Sequence, residues 1–161
     1  TTTEKKTETV KVEVKSEDKK EHFAIAKSLN LPISTKQSVE VSNFIRGKET
    51  SKAKMLLNEV LKHKKAVPYN RYNRDTGHKS GNIAAGRYPE KAIQNFLILI
   101  NSVEANAEDK GLDSKNLIIT EMKADKGPQQ WHQGRMRRRR MKNTHLSIKV
   151  VEKEEWLKER L

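Results

Sequence analysis

The stretch WHQGRMRRRRMKNTHLSIKV, Trp131 to Val150, decides how this chain is built. Its first part carries five arginines in six positions, Arg135 to Arg140. Its second part spaces Leu146, Ile148 and Val150 by two, the period at which side chains share one face of a sheet. A second strand pattern, NLIITEMKA from Asn116 to Ala124, precedes it, and nineteen residues separate the two. Strands joined in this way form a hairpin with no ordinary turn. If both strands run on past the body, each arm gains about nine residues, or about 30 Å at ~3.3 Å per residue. Such an arm buries little and does not stand alone in water. Gly127, Pro128 and Gly134 would bend or thin it. The arginines supply a way to hold it, because guanidinium forks bind phosphates bidentately. Strand alternation would turn Arg138 and Arg140 away from Arg137 and Arg139, with polyanion on both sides. A second reading is open: a four-arginine run also serves as a nuclear-import tag or a flexible basic arm.

Composition points the same way. The chain has 161 residues, of which 34% are hydrophobic and 5% aromatic, so the core is small for the length and part of the chain is expected to gain order from a partner. The net charge of +13 calls for a polyanion, nucleic acid ahead of an acidic membrane. The charge is concentrated. Residues 61–91 hold eight Lys/Arg against two acids, and residues 126–142 hold seven against none, which together account for the whole excess. Two such blocks are expected to be two contact surfaces.

With no cysteine, disulfides, thiol catalysis and Cys-based zinc sites are excluded. No apolar run approaches the ~20 residues of a membrane span, and NFLILI (Asn95 to Ile100) is far too short. TTTEKKTETVKVEVK lacks the apolar centre of a signal peptide, so the protein is expected to be intracellular. His63, His78, His132 and His145 are scattered without ligand or HExxH spacing, and no P-loop or dinucleotide fingerprint occurs, which argues against an enzyme. No helix-turn-helix, zinc-finger or RRM signature supports a free-standing nucleic-acid reader, although a free RNA chaperone using the same basic blocks is the alternative function.

Along the chain, residues 1–22 form a polar extension with six acids and six lysines, in which Val10, Val12 and Val14 permit an edge strand. FAIAKSLNLPI, residues 23–33, reads as extended. Ser34 and Gln37 have capping-box spacing before a helix over about 35–46, with Val41, Phe44 and Ile45 inward and Gly47 as its left-handed end. A second helix begins near Thr50 or Ser51, with Ala53, Leu56, Leu57, Val60 and Leu61 as one stripe. The third opens with Pro89 at its first position and ends at Gly111. Ala92, Ile93, Phe96, Leu97, Ile100, Val103 and Ala107 form its stripe, which Ile98 and Leu99 widen. Thr144 to Glu152 is the last strand, and residues 153–161 are a tail in which Trp156 and Leu157 are expected to pack on the body. The fold class is α+β.

Tyr69 to Tyr88 is a long basic loop with three glycines, and a loop of that length is functional or disordered. Arg71, Arg74, His78, Lys79 and Arg87 are its candidate polyanion contacts. Tyr69 and Tyr72 alternate with Arg71 and Arg74, and either stack on splayed bases or pack onto the body. In the arm, Arg135, Arg137, Arg138, Arg139, Arg140 and Lys142 are the candidate phosphate contacts. Trp131 and His132 are candidates for stacking.

Four motifs then agree in order and spacing: LPIS-x₃-SVE-x₄-IRGK (Leu31 to Lys48), VPYNRYNRDTGH (Val67 to His78), GRYPEKA (Gly86 to Ala92) and VEANAEDKGLD (Val103 to Asp113). Together they resemble the archaeal-type branch of the universal large-subunit ribosomal protein family L-twenty-two, over about Ala24 to Glu152. The resemblance implies three helices packed on a small antiparallel sheet, with a long extended β-hairpin over about 117–151. It implies a structural, non-enzymatic protein of the cytoplasmic ribosome. Its partners would be large-subunit rRNA, neighbouring large-subunit proteins and the nascent chain, which the hairpin meets where it lines the exit tunnel. It implies no metal, no cofactor, no membrane and no homo-oligomer. The rRNA-binding unit would be residues 23–152. The family's hairpin usually carries an aromatic-proline-arginine step near its tip; here Trp131 and His132 occupy that zone, the charge lies on the return arm, and the tip residue is not assigned.

Overall fold

The computed structural model describes residues 22–153 and 156. Val10, Val12, Val14 and Leu157, on which the sequence places expectations, lie outside the described residues. Strand β1 (Phe23–Leu31) leads to helices α1 (Thr35–Ile45) and α2 (Thr50–Leu61). Two-residue strands β2 (Val67–Pro68) and β3 (Gly86–Arg87) bracket the basic loop. Helix α3 (Glu90–Asp109) and strands β4 (Leu117–Lys126) and β5 (Thr144–Glu152) complete the chain. The expected α+β class, three helices on a small antiparallel sheet, is what the chain adopts.

The three-stranded sheet has the order β1-β5-β4, all antiparallel. β5 is the centre because its alternation is complete: Thr144, Leu146, Ile148 and Val150 are buried on one face. On its flanks, Ala26 pairs opposite Ile148 and Met122 opposite the same residue. The β1–β5 register shifts between Ser28 and Leu31, where Asn30 takes a positive φ of 56°. Asparagine tolerates that region better than other side chains. The helices cover the sheet, α3 against β1, α1 against β4, and α2 against α3. Phe96, Ile93, Ile100, Leu57 and Ile45 fill the layer between. Lys54 of α2 pairs with Glu104 of α3 at the rim.

Helix ends follow the expected glycines: Gly47 and Gly111 have φ values of 75° and 74°. Three details differ. Ser34 is the N-cap of α1, but no side chain closes the cap, so the capping box is spelled without being formed. Pro89 precedes α3 as its N-cap rather than serving as its first residue. Ile98, expected to widen the inner stripe, is 65% exposed, whereas Leu99 is buried. At about 100° per residue Leu99 falls beside Phe96, Ile100 and Val103 on the buried face, while Ile98 falls on the opposite side of the helix.

The larger correction concerns the hairpin. Regular β4–β5 pairing ends at Lys126↔Thr144. Beyond it the two arms stay joined by single bonds: Gly127 N–H donates to Asn143 (3.0 Å), Met141 N–H to Gln130 (2.7 Å) and His132 N–H to Arg139 (2.9 Å). An isolated bridge links Trp131 and Arg140. The tip therefore lies within Gln133 to Arg138, where Gly134–Met136 forms a 3-10 turn and Gly134 has φ 64°. The nine-residue strand extensions are not formed, because this segment has no apolar row to bury and Pro128 lacks a donor. Strand alternation of the arginines fails with them: Arg137 is in the right-handed helical region.

Phe96→Ala is expected to destabilise the chain by about 3–5 kcal/mol, while Ile98→Ala should change stability by less than ~0.5 kcal/mol. Urea unfolding of the two variants measures the difference.

Candidate nucleic-acid interface

The first basic segment is not a structureless loop. Val67 and Pro68 pair with Arg87 and Gly86, His78 bridges to Ala85, and Lys79 N–H donates to Ala84 at 3.0 Å. Gly86 lets the two sides approach closely, since a Cβ there would lie 3.1 Å from both Ala66 Cβ and Ile83 Cδ1 and would push one of them aside. The principal anchor is a residue that neither spacing nor charge singles out. Glu40 of α1 is buried, at 1% exposure. Its carboxylate accepts the backbone N–H groups of Asn70 (3.2 Å), Arg71 (2.9 Å) and Tyr72 (2.7 Å). Ionised carboxylates form the stronger class of hydrogen bond, and here three successive donors are satisfied by one side chain. The bonds fix the backbone from which Arg71 and Arg74 project into solvent.

Of the two readings open for the tyrosines, Tyr69 takes the packed one. It is 4% exposed, inside the core cluster, so it presents no ring face to a base and its role as a stacker is withdrawn. Burial pushes its phenol up to about 12, against the opposing pull of Arg87. Its hydroxyl has no hydrogen-bond partner. Tyr72 is half-buried, with the Lys36 ammonium 5.7 Å and the Arg71 guanidinium 5.5 Å from its ring centroid. Lys79 and Arg87 sit over Tyr88 and Tyr69 in the same way, at 5.4 and 5.8 Å. Cations on aromatic faces are thus a recurring device of this segment.

On the hairpin, Arg135, Arg137, Arg138, Arg139, Arg140 and Lys142 are all exposed. Trp131 is 55% exposed and carries the Arg140 guanidinium 4.4 Å over its ring. His132 is half-buried between the arms. At the root, a Cβ on Gly127 would meet Asn143 Cγ and Oδ1 at 2.8 Å, so only glycine fits without displacing Asn143. Asn143 donates to Pro128 O (2.9 Å) and to Asn30 Oδ1 (3.1 Å), while Asn30 N–H donates to His145 Nδ1 (3.0 Å). This polar knot ties the hairpin root to the end of β1.

The two charged blocks, separated by 34 residues in the sequence, meet in space. A groove of about 430 Å³ is lined by Arg71, Arg74 and Arg87 from the first block, Lys142 from the second, and Lys36 of α1. A neighbouring groove shares Lys36, Tyr72 and Lys142 and adds Lys126 and Gln129. No acid is among the described residues that line either one. Among the described residues no cluster could hold a metal ion, and no helix is long and apolar enough to cross a membrane. The arrangement can receive an extended anion by charge and by donated hydrogen bonds.

Fold and surface together define a small α+β protein with one cationic face built from a loop and a hairpin. The chain belongs to the family described as Ribosomal protein L22p/L17e, which it matches over residues 26–152. It is 45% identical over 109 residues to the large ribosomal subunit protein uL22 of Methanoculleus marisnigri, covering 66% of this chain and 71% of that one. To the uL22 of Nanoarchaeum equitans it is 42% identical over 134 residues, covering 79% and 77%. To that of Ignicoccus hospitalis it is 38% identical over 149 residues, covering 86% and 94%. Membership makes it a structural ribosomal protein of archaeal type rather than an enzyme.

The two anchors, Glu40 and Tyr69, can each be tested. Glu40→Ala should cost about 3 kcal/mol and accelerate amide exchange at Asn70, Arg71 and Tyr72, read by hydrogen-exchange mass spectrometry. A phenol raised from 10.0 to about 12 in the folded state gives stability that is complete below pH 10 and is lost as pH rises toward 12. Melting curves across that range should fall less steeply for Tyr69→Phe than for the parent chain.

Proposed function

We propose that this chain is a constituent of the large ribosomal subunit that binds large-subunit rRNA through its cationic face, with the arginine hairpin lying along the polypeptide exit tunnel beside the nascent chain. The observation that carries the reading is the convergence of both basic blocks on one acid-free groove system. A merely solvated surface mixes signs, whereas opposed cations without counter-ions are stable next to a polyphosphate. The family membership supports large-subunit rRNA as that polyanion. Phosphate contacts by Arg71, Arg74, Arg87, Lys142 and the Arg135–Arg140 run supply most of the affinity, and rRNA shape supplies the selectivity. His78 and Lys79 extend the loop side of this surface. Trp131, stiffened by Arg140, presents a ring to a base or to the tunnel wall, with His132 behind it. Neighbouring large-subunit proteins are the remaining partners, and the chain acts as a single copy in the cytoplasm.

The alternative, a free RNA-binding protein using the same face, differs in where the protein sediments. In a sucrose gradient at moderate salt the chain should travel with large subunits; recovery only in the light fractions would decide for the alternative. Replacing Arg137, Arg138, Arg139 and Arg140 by alanine should leave the melting temperature unchanged. It should weaken rRNA binding and flatten the dependence of log affinity on log salt by roughly one for each phosphate released from its arginine. Filter binding across a salt series measures both.

A further inference from the structure

The head of α1 is the point on which the cationic groove system centres, and it is left open. The sequence provides Ser34 and Gln37 for a capping box, yet no side chain accepts from the first-turn amides and no acid lies in that turn. A helix has unsatisfied N–H groups and a positive dipole end there, the arrangement that receives anions elsewhere. The head is also fixed in place. Thr35 Oγ1 and Thr144 Oγ1 are hydrogen-bonded at 2.8 Å, and Thr144 donates to Ile33 O at 3.0 Å. That contact sets the helix start at the level where β5 begins and the hairpin departs. Ser34, Lys36, Tyr72 and Lys142 are common to both grooves, so the two form one track across the helix head. Tyr69 lines this track, is almost wholly buried, and has a hydroxyl with no acceptor. A donor buried without a partner carries a desolvation cost that an incoming acceptor removes.

We propose that the head of α1 is a phosphate seat for a bend of the rRNA backbone: the open first-turn amides, Lys36 and Lys142 hold one phosphodiester, the Tyr69 hydroxyl donates into the same seat, and Lys126 and Arg74 receive its neighbours on either side. The proposal rests on the reading that large-subunit rRNA is the polyanion, and it adds to it a site on a helix outside both basic sequence blocks. Lys36 belongs to neither block, so its involvement is specific to this geometry. The seat takes the sugar-phosphate backbone without regard to base. Tyr72 serves it as a spacer, its ring set against both Lys36 and Arg71.

The test is binding of the full chain to protein-free large-subunit rRNA over a salt series. Four forms are compared: the parent, the double variant Lys36→Gln with Lys142→Gln, Tyr69→Phe, and Lys27→Gln with Lys115→Gln, two exposed lysines outside both basic blocks and both grooves, as an off-track control of equal charge change. The expected result is a log–log salt slope lower by about one in the double variant, for the one phosphate it releases, and unchanged in the control. Tyr69→Phe should bind severalfold more weakly with the parent slope and a melting temperature no lower than the parent's. A parent-like slope in the double variant, or parent-like affinity in Tyr69→Phe, overturns the seat. If those variants behave as the parent while the four-arginine hairpin variant still loses affinity, the rRNA reading survives and the seat alone fails. If the parent itself shows no salt-dependent binding to the rRNA, both fall.

Discussion

β5 is hydrogen-bonded along both edges, and that double pairing governs the rest of the molecule. A central strand has one register, because a slip by one residue would turn Leu146, Ile148 and Val150 from the helical layer to the outside. The register in turn fixes where Thr144 lies. Everything at that end, the hairpin departure, the head of α1 and the lysines around it, is then set relative to the core without any contact of its own being strong. The arginine block need not be ordered by itself; it is aimed by a strand whose energy comes from burial elsewhere.

Glu40 performs the corresponding task for the other block. A carboxylate inside a protein that gathers three consecutive amides fixes the path of a segment that has few apolar side chains to hold it. A surface of this kind is assembled before the polyanion arrives, so less ordering entropy is lost on binding.

Much of the scaffold is legible in the sequence. The stripe Ala53, Leu56, Leu57, Val60 and Leu61 and the alternation Leu146, Ile148 and Val150 depend only on local period; the structure buries the alternation and Ala53, Leu57 and Val60, and leaves Leu56 and Leu61 half-buried at the edge of the stripe. Gly47 and Gly111 mark helix ends because the left-handed region there favours glycine. Ile98 misleads because apolar residues are free to lie outside, whereas polar ones seldom lie inside. Glu40 escapes because its partners are backbone amides some thirty residues on, which leave no trace in side-chain spacing. The available signal is its position one turn before Phe44, on the inner side of α1. The two basic blocks are visible as charge, but their meeting at Lys36 is a tertiary fact. The sequence suggests more regular strand in the hairpin than forms, because the alternation stops at Lys126: KGPQQ offers no apolar row to continue it.

The loosely laddered finger beyond Gly127 has a consequence for how such a protein can vary. Closing a longer loop costs only about 0.6 kcal/mol per doubling of length. The segment from Gln133 to Arg138 makes no demand on the sheet, since the polar knot of Asn30, Asn143 and His145 isolates it from β5. Residues can therefore be gained or lost at the turn around Gly134 with the body unaware of the change. The fold of the body sets no length for the fingertip; only what its arginines touch can do so.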